Sequence, residues 1–113
     1  MPKILLVEDD TDLADVLEIA LTSEGHDVER THDYAQTAEQ LQRKNYAAVI
    51  LDASMRAGPA GDLVELAKTN VVLISGRFDQ MKNSVTSSQD VCARLAKPFD
   101  IDKFIEAVSS ACQ

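Results

Sequence analysis

Asp52 closes the apolar run Ala47-Ala48-Val49-Ile50-Leu51, and Glu8-Asp9-Asp10 closes a second, Ile4-Leu5-Leu6-Val7. Ser75 follows Val71-Val72-Leu73-Ile74, and Lys97-Pro98 follows Val91-Cys92-Ala93-Arg94-Leu95-Ala96. Short apolar runs bounded by polar residues read as buried strands, so successive strand ends deliver carboxylates, a hydroxyl and an amine. Carboxylates crowded into one pocket raise each other's pKa. A hard divalent cation relieves that repulsion, and Mg²⁺ is satisfied by one or two carboxylates with water and phosphate oxygens. Glu8, Asp9 and Asp52 can supply such a shell; Asp10 either joins them or caps the helix that follows. A carboxylate can also act as a nucleophile and form an aspartyl phosphate. Phosphoryl transfer depends on positioning and charge neutralisation. The Lys97 ammonium can neutralise the phosphoryl oxygens from the side opposite the cation, and the Ser75 hydroxyl can bond another of them. Pro98 directly after Lys97 points to a rigid, cis-linked turn.

The elements that must hold these residues alternate between strand and helix. Lys3–Val7 is a β-rich run. After Asp10-Thr11-Asp12, the residues Leu13, Val16, Leu17, Ala20 and Leu21 follow helical spacing. Gly25 suits the C-cap of that helix. His26–Thr31 is short and mixed, like an edge strand. Asp33 can cap a second helix running to about Lys44, with Ala35, Ala38 and Leu41 on one face. Ala47–Leu51 is apolar throughout, as a central parallel strand covered on both faces must be. Gly58-Pro59 marks a turn. A short third helix is expected over about Gly61–Lys68, a fourth strand at Val71–Ile74 and a fifth at Val91–Leu95. Segment 76–89 is polar and gives at most a weak fourth helix, since Thr86-Ser87-Ser88-Gln89 is a poor helical sequence. Asp100 caps a last helix with Ile101, Phe104, Ile105 and Val108 turned inward. Five βα units imply a doubly wound, five-stranded parallel sheet with helices on both faces. Ligands bind such sheets beyond the carboxyl ends of the strands, at the topological switch point, where every polar residue singled out above falls.

Composition sets the frame. The chain has 113 residues, 45% of them hydrophobic, with a formal net charge of −8 and a pI of about 4.5. That is one domain, residues 1–113, with one core. Its acidity argues against nucleic-acid and anionic-membrane binding. No apolar stretch approaches the roughly 20 residues that span a bilayer. Met1-Pro2-Lys3-Ile4 runs straight into a strand and reads as no signal peptide. Cys92 and Cys112 match no metal-ligand spacing, and read as packing residues of a reduced, cytoplasmic protein. His26 and His32 read as solvated.

Leu5-Leu6-Val7-Glu8-Asp9-Asp10, Val49-Ile50-Leu51-Asp52, Ser75-Gly76 and Ala96-Lys97-Pro98-Phe99 together resemble the CheY-like receiver domain of two-component response regulators, over essentially the whole chain. The resemblance implies the flavodoxin-like strand order 2-1-3-4-5. It implies that Asp52 accepts a phosphoryl group from a histidine kinase, a histidine phosphotransfer protein or a small acyl phosphate. It also implies Mg²⁺ held by Asp9, Asp52 and the Ser54 backbone carbonyl, with Glu8 acting through water, and Ser75 and Lys97 on the phosphoryl oxygens. Such a protein is a phosphoacceptor that assists its own phosphorylation and dephosphorylation rather than an enzyme for an external substrate. Activation would draw Ser75 inward and reorder segment 76–90. A downstream protein would dock on the 79–112 face, and the molecule would be a monomer or weak dimer.

The chain also departs from that family. Arg56 stands where a proline usual to the loop after Asp52 would be, and the stretch from Asp52 to Ser75 is short. Arg94 occupies the place of the rotating switch aromatic, and Ser75-Gly76-Arg77-Phe78 brings in a different ring. These features resemble an atypical set of single-domain receivers, in which the hydroxyl residue is followed by Gly and soon after by an aromatic; on that basis Phe78 is expected to take over part of the switching role that Arg94 cannot perform. A phosphorylation-independent pseudo-receiver is the alternative they keep open. A metal-dependent phosphohydrolase fits less well, because Ser54 stands where a haloacid-dehalogenase-type enzyme carries its second acid.

Overall fold

The structure, a computed structural model, describes residues 3–52, 66–67, 69–75 and 91–112. Strands β1 (Lys3–Val7), β2 (Asp27–Thr31), β3 (Ala48–Asp52), β4 (Asn70–Ser75) and β5 (Val91–Ala96) pair in parallel in the order β2-β1-β3-β4-β5. The chain steps from β1 outward to β2, then back across to β3. The switch point therefore lies between β1 and β3, whose ends carry Glu8 and Asp52. Asp52 and Ser75 are the last residues of their strands rather than the first beyond them.

Three described helices complete the frame: α1 (Thr11–Ser23), α2 (Tyr34–Arg43) and α3 (Ile101–Ala111). Successive strand side chains point to opposite faces, which is why the central strands are apolar without interruption. Ile4, Leu6, Ile50, Val72 and Ile74 face α1 and α3, meeting Leu17, Leu21, Phe104 and Val108. Leu5, Val7, Val49, Leu51, Val71 and Leu73 face the other way, toward Leu41 and Tyr46. Of the expected third helix, Leu66 and Ala67 are described; both are helical and pack on that second face. The rest of it, and the expected fourth helix, lie outside the described residues.

Caps fix where the helices begin and end. Asp10 accepts the Asp12 and Leu13 N–H groups, Asp33 that of Gln36, and Asp100 that of Asp102. These bonds satisfy donors that a helix N-terminus leaves without partners. At the far end of α1, Gly25 takes φ +88, while its N–H reaches Thr22 O and that of His26 reaches Leu21 O, both at 3.1 Å. That double bond is the Schellman closure, and its left-handed residue favours glycine.

Three sequence expectations need correction. Val16 is 50% exposed, and Ala14, one turn before Leu17 on the same face, packs in the core instead, leaving Val16 and Ile19 outward. On α2, Ala35 is exposed and Thr37 is buried, because the Thr37 hydroxyl bonds both Thr31 Oγ1 and the Asp33 carbonyl, each at 2.7 Å. His26 is half-buried rather than solvated, and its Nδ1 is enclosed without a hydrogen-bond partner.

Candidate functional site

The carboxyl ends of β1, β3 and β5 converge. Lys97 Nζ lies 3.2 Å from Glu8 Oε2 and 3.1 Å from Asp52 Oδ2. Glu8 and Asp52 are 1% and 3% exposed, Ser75 is fully buried and Asp9 is exposed. Carboxylate oxygens of Glu8, Asp9 and Asp52 all lie within 4.8 Å of one another. The expected triad of acids, the amine and the Ser75-bearing strand end are thus brought to one place. Asp10 is not part of the cluster; capping α1 settles its role.

Backbone bonds hold the pieces still. Glu8 N–H reaches the Thr31 carbonyl at 3.3 Å, and Glu8 Oε1 accepts from Asp10 N–H at 3.1 Å. Lys97 N–H donates to the Ser75 carbonyl at 2.8 Å, and the Lys97–Pro98 peptide is cis, as the sequence led one to expect. Lys97 is therefore anchored through its backbone at β4 while its side chain reaches to β3 and β1.

The electrostatics follow from this crowding. Burial, then the hydrogen bond and charge of Asp52, push Glu8 up from 4.5 to about 7, against the pull of Lys97 and the Asp10 N–H. Burial would lower Lys97, but Asp52 and Glu8 outweigh it and hold the ammonium above its ordinary range. Among the described residues, three carboxylates face one ammonium, a formal charge of −2. A divalent cation fits that residual charge, and hard oxygen donors are the ligands it takes.

Two expected participants, Ser54 with its backbone carbonyl and Phe78, lie outside the described residues, as does segment 76–90. Arg94 is described: it sits on β5 opposite Leu73, with an exposed side chain. Sequence reasoning missed the apolar shoulder of the site, where Leu13, Phe99 and Ile101 line a hollow together with Asp10, Lys97 and Pro98. The signal was present in Pro98-Phe99. Phe99 stacks on core Phe104 with ring centroids 5.6 Å apart, so the core itself positions this wall.

Comparisons with known proteins agree with this geometry. The family model for the response regulator receiver domain matches residues 4–109. Response regulator ArlR of Staphylococcus aureus is 25% identical over 115 residues, covering 96% of this chain and 51% of its own length. The chain thus spans about half the length of the curated relatives it matches. A sensor protein from Polaromonas sp. JS666 is 28% identical, with a TM-score of 0.83, over 98% of this chain and 95% of that one. Response regulator TrrA of Thermotoga maritima, solved in complex with Mg²⁺-BeF, is 23% identical with a TM-score of 0.84, over 98% and 99%. No described helix is long and apolar enough to cross a membrane.

Proposed function

This chain belongs to the response regulator receiver domain family of two-component signalling, and we propose that it acts as a phosphoacceptor whose acceptor residue is Asp52. The observation that carries the reading is the Lys97 ammonium held between the buried Asp52 and Glu8 carboxylates at the switch point. A carboxylate oxygen of Asp52 attacks phosphorus; a new O–P bond forms as the bond to a phosphohistidine nitrogen or an acyl oxygen breaks, and the electron pair leaves with that donor. Lys97 is already within bonding distance of Asp52, so it can pass from carboxylate to phosphoryl oxygen with little movement. Ser75, at the buried end of β4, supplies a hydroxyl to the same group.

Glu8, Asp9, Asp52 and the Ser54 carbonyl would hold Mg²⁺, which when bound neutralises charge on the transferring phosphoryl oxygens. The donors proposed are a histidine kinase or a histidine phosphotransfer protein. The response proposed runs from Ser75 into segment 76–90, with Phe78 and Arg94 as switch residues and the 79–112 face as the surface a downstream protein reads. The whole of residues 1–113 forms one receiver domain in this reading, at work in the cytoplasm.

Incubation with acetyl phosphate, with and without Mg²⁺, followed by intact mass, tests the proposal. A Mg²⁺-dependent gain of one phosphoryl group that is absent from Asp52→Ala is the expected result. Absence of any gain in the wild-type chain would overturn it in favour of a phosphorylation-independent interaction module.

A further inference from the structure

Among the described residues, the buried polar side chains are Glu8, Asp52 and Ser75 of the site and a second group, Thr31 and Thr37. Thr31 is the last residue of β2, and Thr37 is the fourth of α2. Their hydroxyls are 2.7 Å apart, and the Thr37 hydroxyl donates to the Asp33 carbonyl, also at 2.7 Å. A hydroxyl has one proton to give. That of Thr37 goes to Asp33, so the proton between the two threonines comes from Thr31. The chain therefore runs one way, from Thr31 to Thr37 to Asp33. Its anchor is held as well: Asp33 Oδ1 accepts from Gln36 N–H at 2.8 Å, and Gln36 Oε1 accepts from His32 N–H at 3.2 Å. The start of α2 and the loop before it form one hydrogen-bonded unit, and the Thr31 hydroxyl ties the end of β2 to that unit.

The backbone of Thr31 faces the site. β1 and β2 pair in register up to Val7 and Thr31. One residue further on, Glu8 N–H reaches the Thr31 carbonyl at 3.3 Å. That bond is long and stands at the open end of the ladder, so its geometry depends on how Thr31 is held. We infer that Thr31 and Thr37 are positioning residues for the cation site, an inference that rests on the proposed function. Through the Thr31 carbonyl they set the backbone of Glu8, whose carboxylate lies within 4.8 Å of those of Asp9 and Asp52. Asp10 N–H holds the Glu8 side chain from the α1 side at 3.1 Å, and β2 supplies the second point of suspension. Neither threonine is itself a ligand. Removing a group that orients a metal ligand lowers affinity by about 10–100-fold. The threonine hydroxyls act one bond further out, so a loss of about 3–10-fold is expected from them.

Calorimetric titration of Mg²⁺ into the full chain, stripped beforehand with EDTA, reads affinity without any phosphoryl transfer. Thr31→Val keeps the branched shape that suits a strand, removes the donor and leaves the Thr37–Asp33 bond in place, so it carries the test even if Thr37→Val does not fold. Expected is a Kd for Mg²⁺ about 3–10-fold weaker in Thr31→Val and in Thr37→Val, and a value close to wild type in Thr31→Ser, which restores the donor. Gly25→Ala, a change at the far end of α1, should keep the wild-type Kd, which separates positioning from a general loss of stability. Wild-type affinity in Thr31→Val, or an equal loss in Thr31→Ser or Gly25→Ala, overturns the inference and leaves the proposed function standing on the Mg²⁺-dependent phosphoryl gain of the wild-type chain. A wild-type chain that binds no Mg²⁺ overturns both.

Discussion

Replacing Lys97 with Met keeps most of the side-chain volume and deletes the cation that, among the described residues, pairs with both buried carboxylates. Removing one partner of a buried ion pair costs about 3–5 kcal/mol. Lys97 keeps 26% side-chain exposure, and the variant has an escape, protonation of Glu8. The loss near neutral pH should then be smaller, about 2 kcal/mol. The more telling quantity is its pH dependence. Folded Glu8 titrates at about 7 against 4.5 for an unperturbed side chain. Its folded pKa is raised, so its contribution to stability is present below the unfolded value and lost as pH rises through about 7. Without Lys97 the folded value climbs further. The folded variant then keeps a proton over a range where the unfolded chain has none. Its unfolding free energy falls there by up to about 1.4 kcal/mol per pH unit, while that of the wild type has levelled off. Urea unfolding in EDTA, from about pH 6 to about pH 8.5, measures the gap, which should widen with pH and narrow when Mg²⁺ is restored. A gap that stays flat or closes as pH rises refutes the placement of Lys97 as the compensating charge for Glu8 and Asp52.

Asp52→Asn should abolish the phosphoryl gain and raise metal-free stability near neutral pH by about 1–2 kcal/mol, because it removes one of the two buried carboxylates while Glu8 keeps Lys97. Urea unfolding that instead shows a loss would mean that the Asp52–Lys97 attraction exceeds the crowding. Thr37→Val leaves the buried Thr31 hydroxyl without its 2.7 Å partner and should cost about 1–3 kcal/mol, seen as a lower urea midpoint at unchanged m-value. A Cβ at position 25 meets nothing within 4 Å, so any penalty in Gly25→Ala reports backbone conformation alone. About 1 kcal/mol is expected, and Gly25→Asn, which tolerates the left-handed region better, should recover part of it in the same thermal scan.

The parts of the fold legible in the sequence were those where one physical requirement dominates. β1 and β3 are covered on both faces, so every residue from Ile4 to Val7 and from Ala48 to Leu51 had to be apolar, and the pattern could be read directly. Caps were legible because a helix N-terminus leaves N–H groups that Asp10, Asp33 and Asp100 satisfy within a few residues. The helix faces were harder. Spacing on α1 admitted either Val16 or Ala14 as the inward residue, and only the approach of the helix to the sheet decides between them. Thr37 reads as polar, yet a hydroxyl partner on β2 makes its burial tolerable. At the site, strand-end position identified Glu8, Asp52, Ser75 and Lys97, but no local pattern could show that Lys97 touches both acids across β4. The register slip at the start of β5, where Val91 pairs with Val71 but Ala93 with Val72 so that Cys92 is left over, was equally hidden, since it is a property of two strands rather than of either run.

Lys97 links the chemistry of the pocket to the rest of the sheet in a way that neither its charge nor its position alone would achieve. Its Nζ bridges β1 and β3 through Glu8 and Asp52, while its N–H is bonded to the Ser75 carbonyl of β4. Glu8 has little freedom to adjust, because its carboxylate is held by Asp10 N–H and its own N–H by the Thr31 carbonyl. A group that draws the ammonium away from Asp52 therefore displaces a residue whose backbone bonds Ser75, whereas a group that meets only Asp9, exposed at the rim, does not. The packed core beneath both strands resists gradual deformation, so such a pull is met by exchange of partners rather than by bending. In the proposed function a phosphoryl group on Asp52 would make that exchange, and the strand to feel it first would be β4, which ends in Ser75 where segment 76–90 begins.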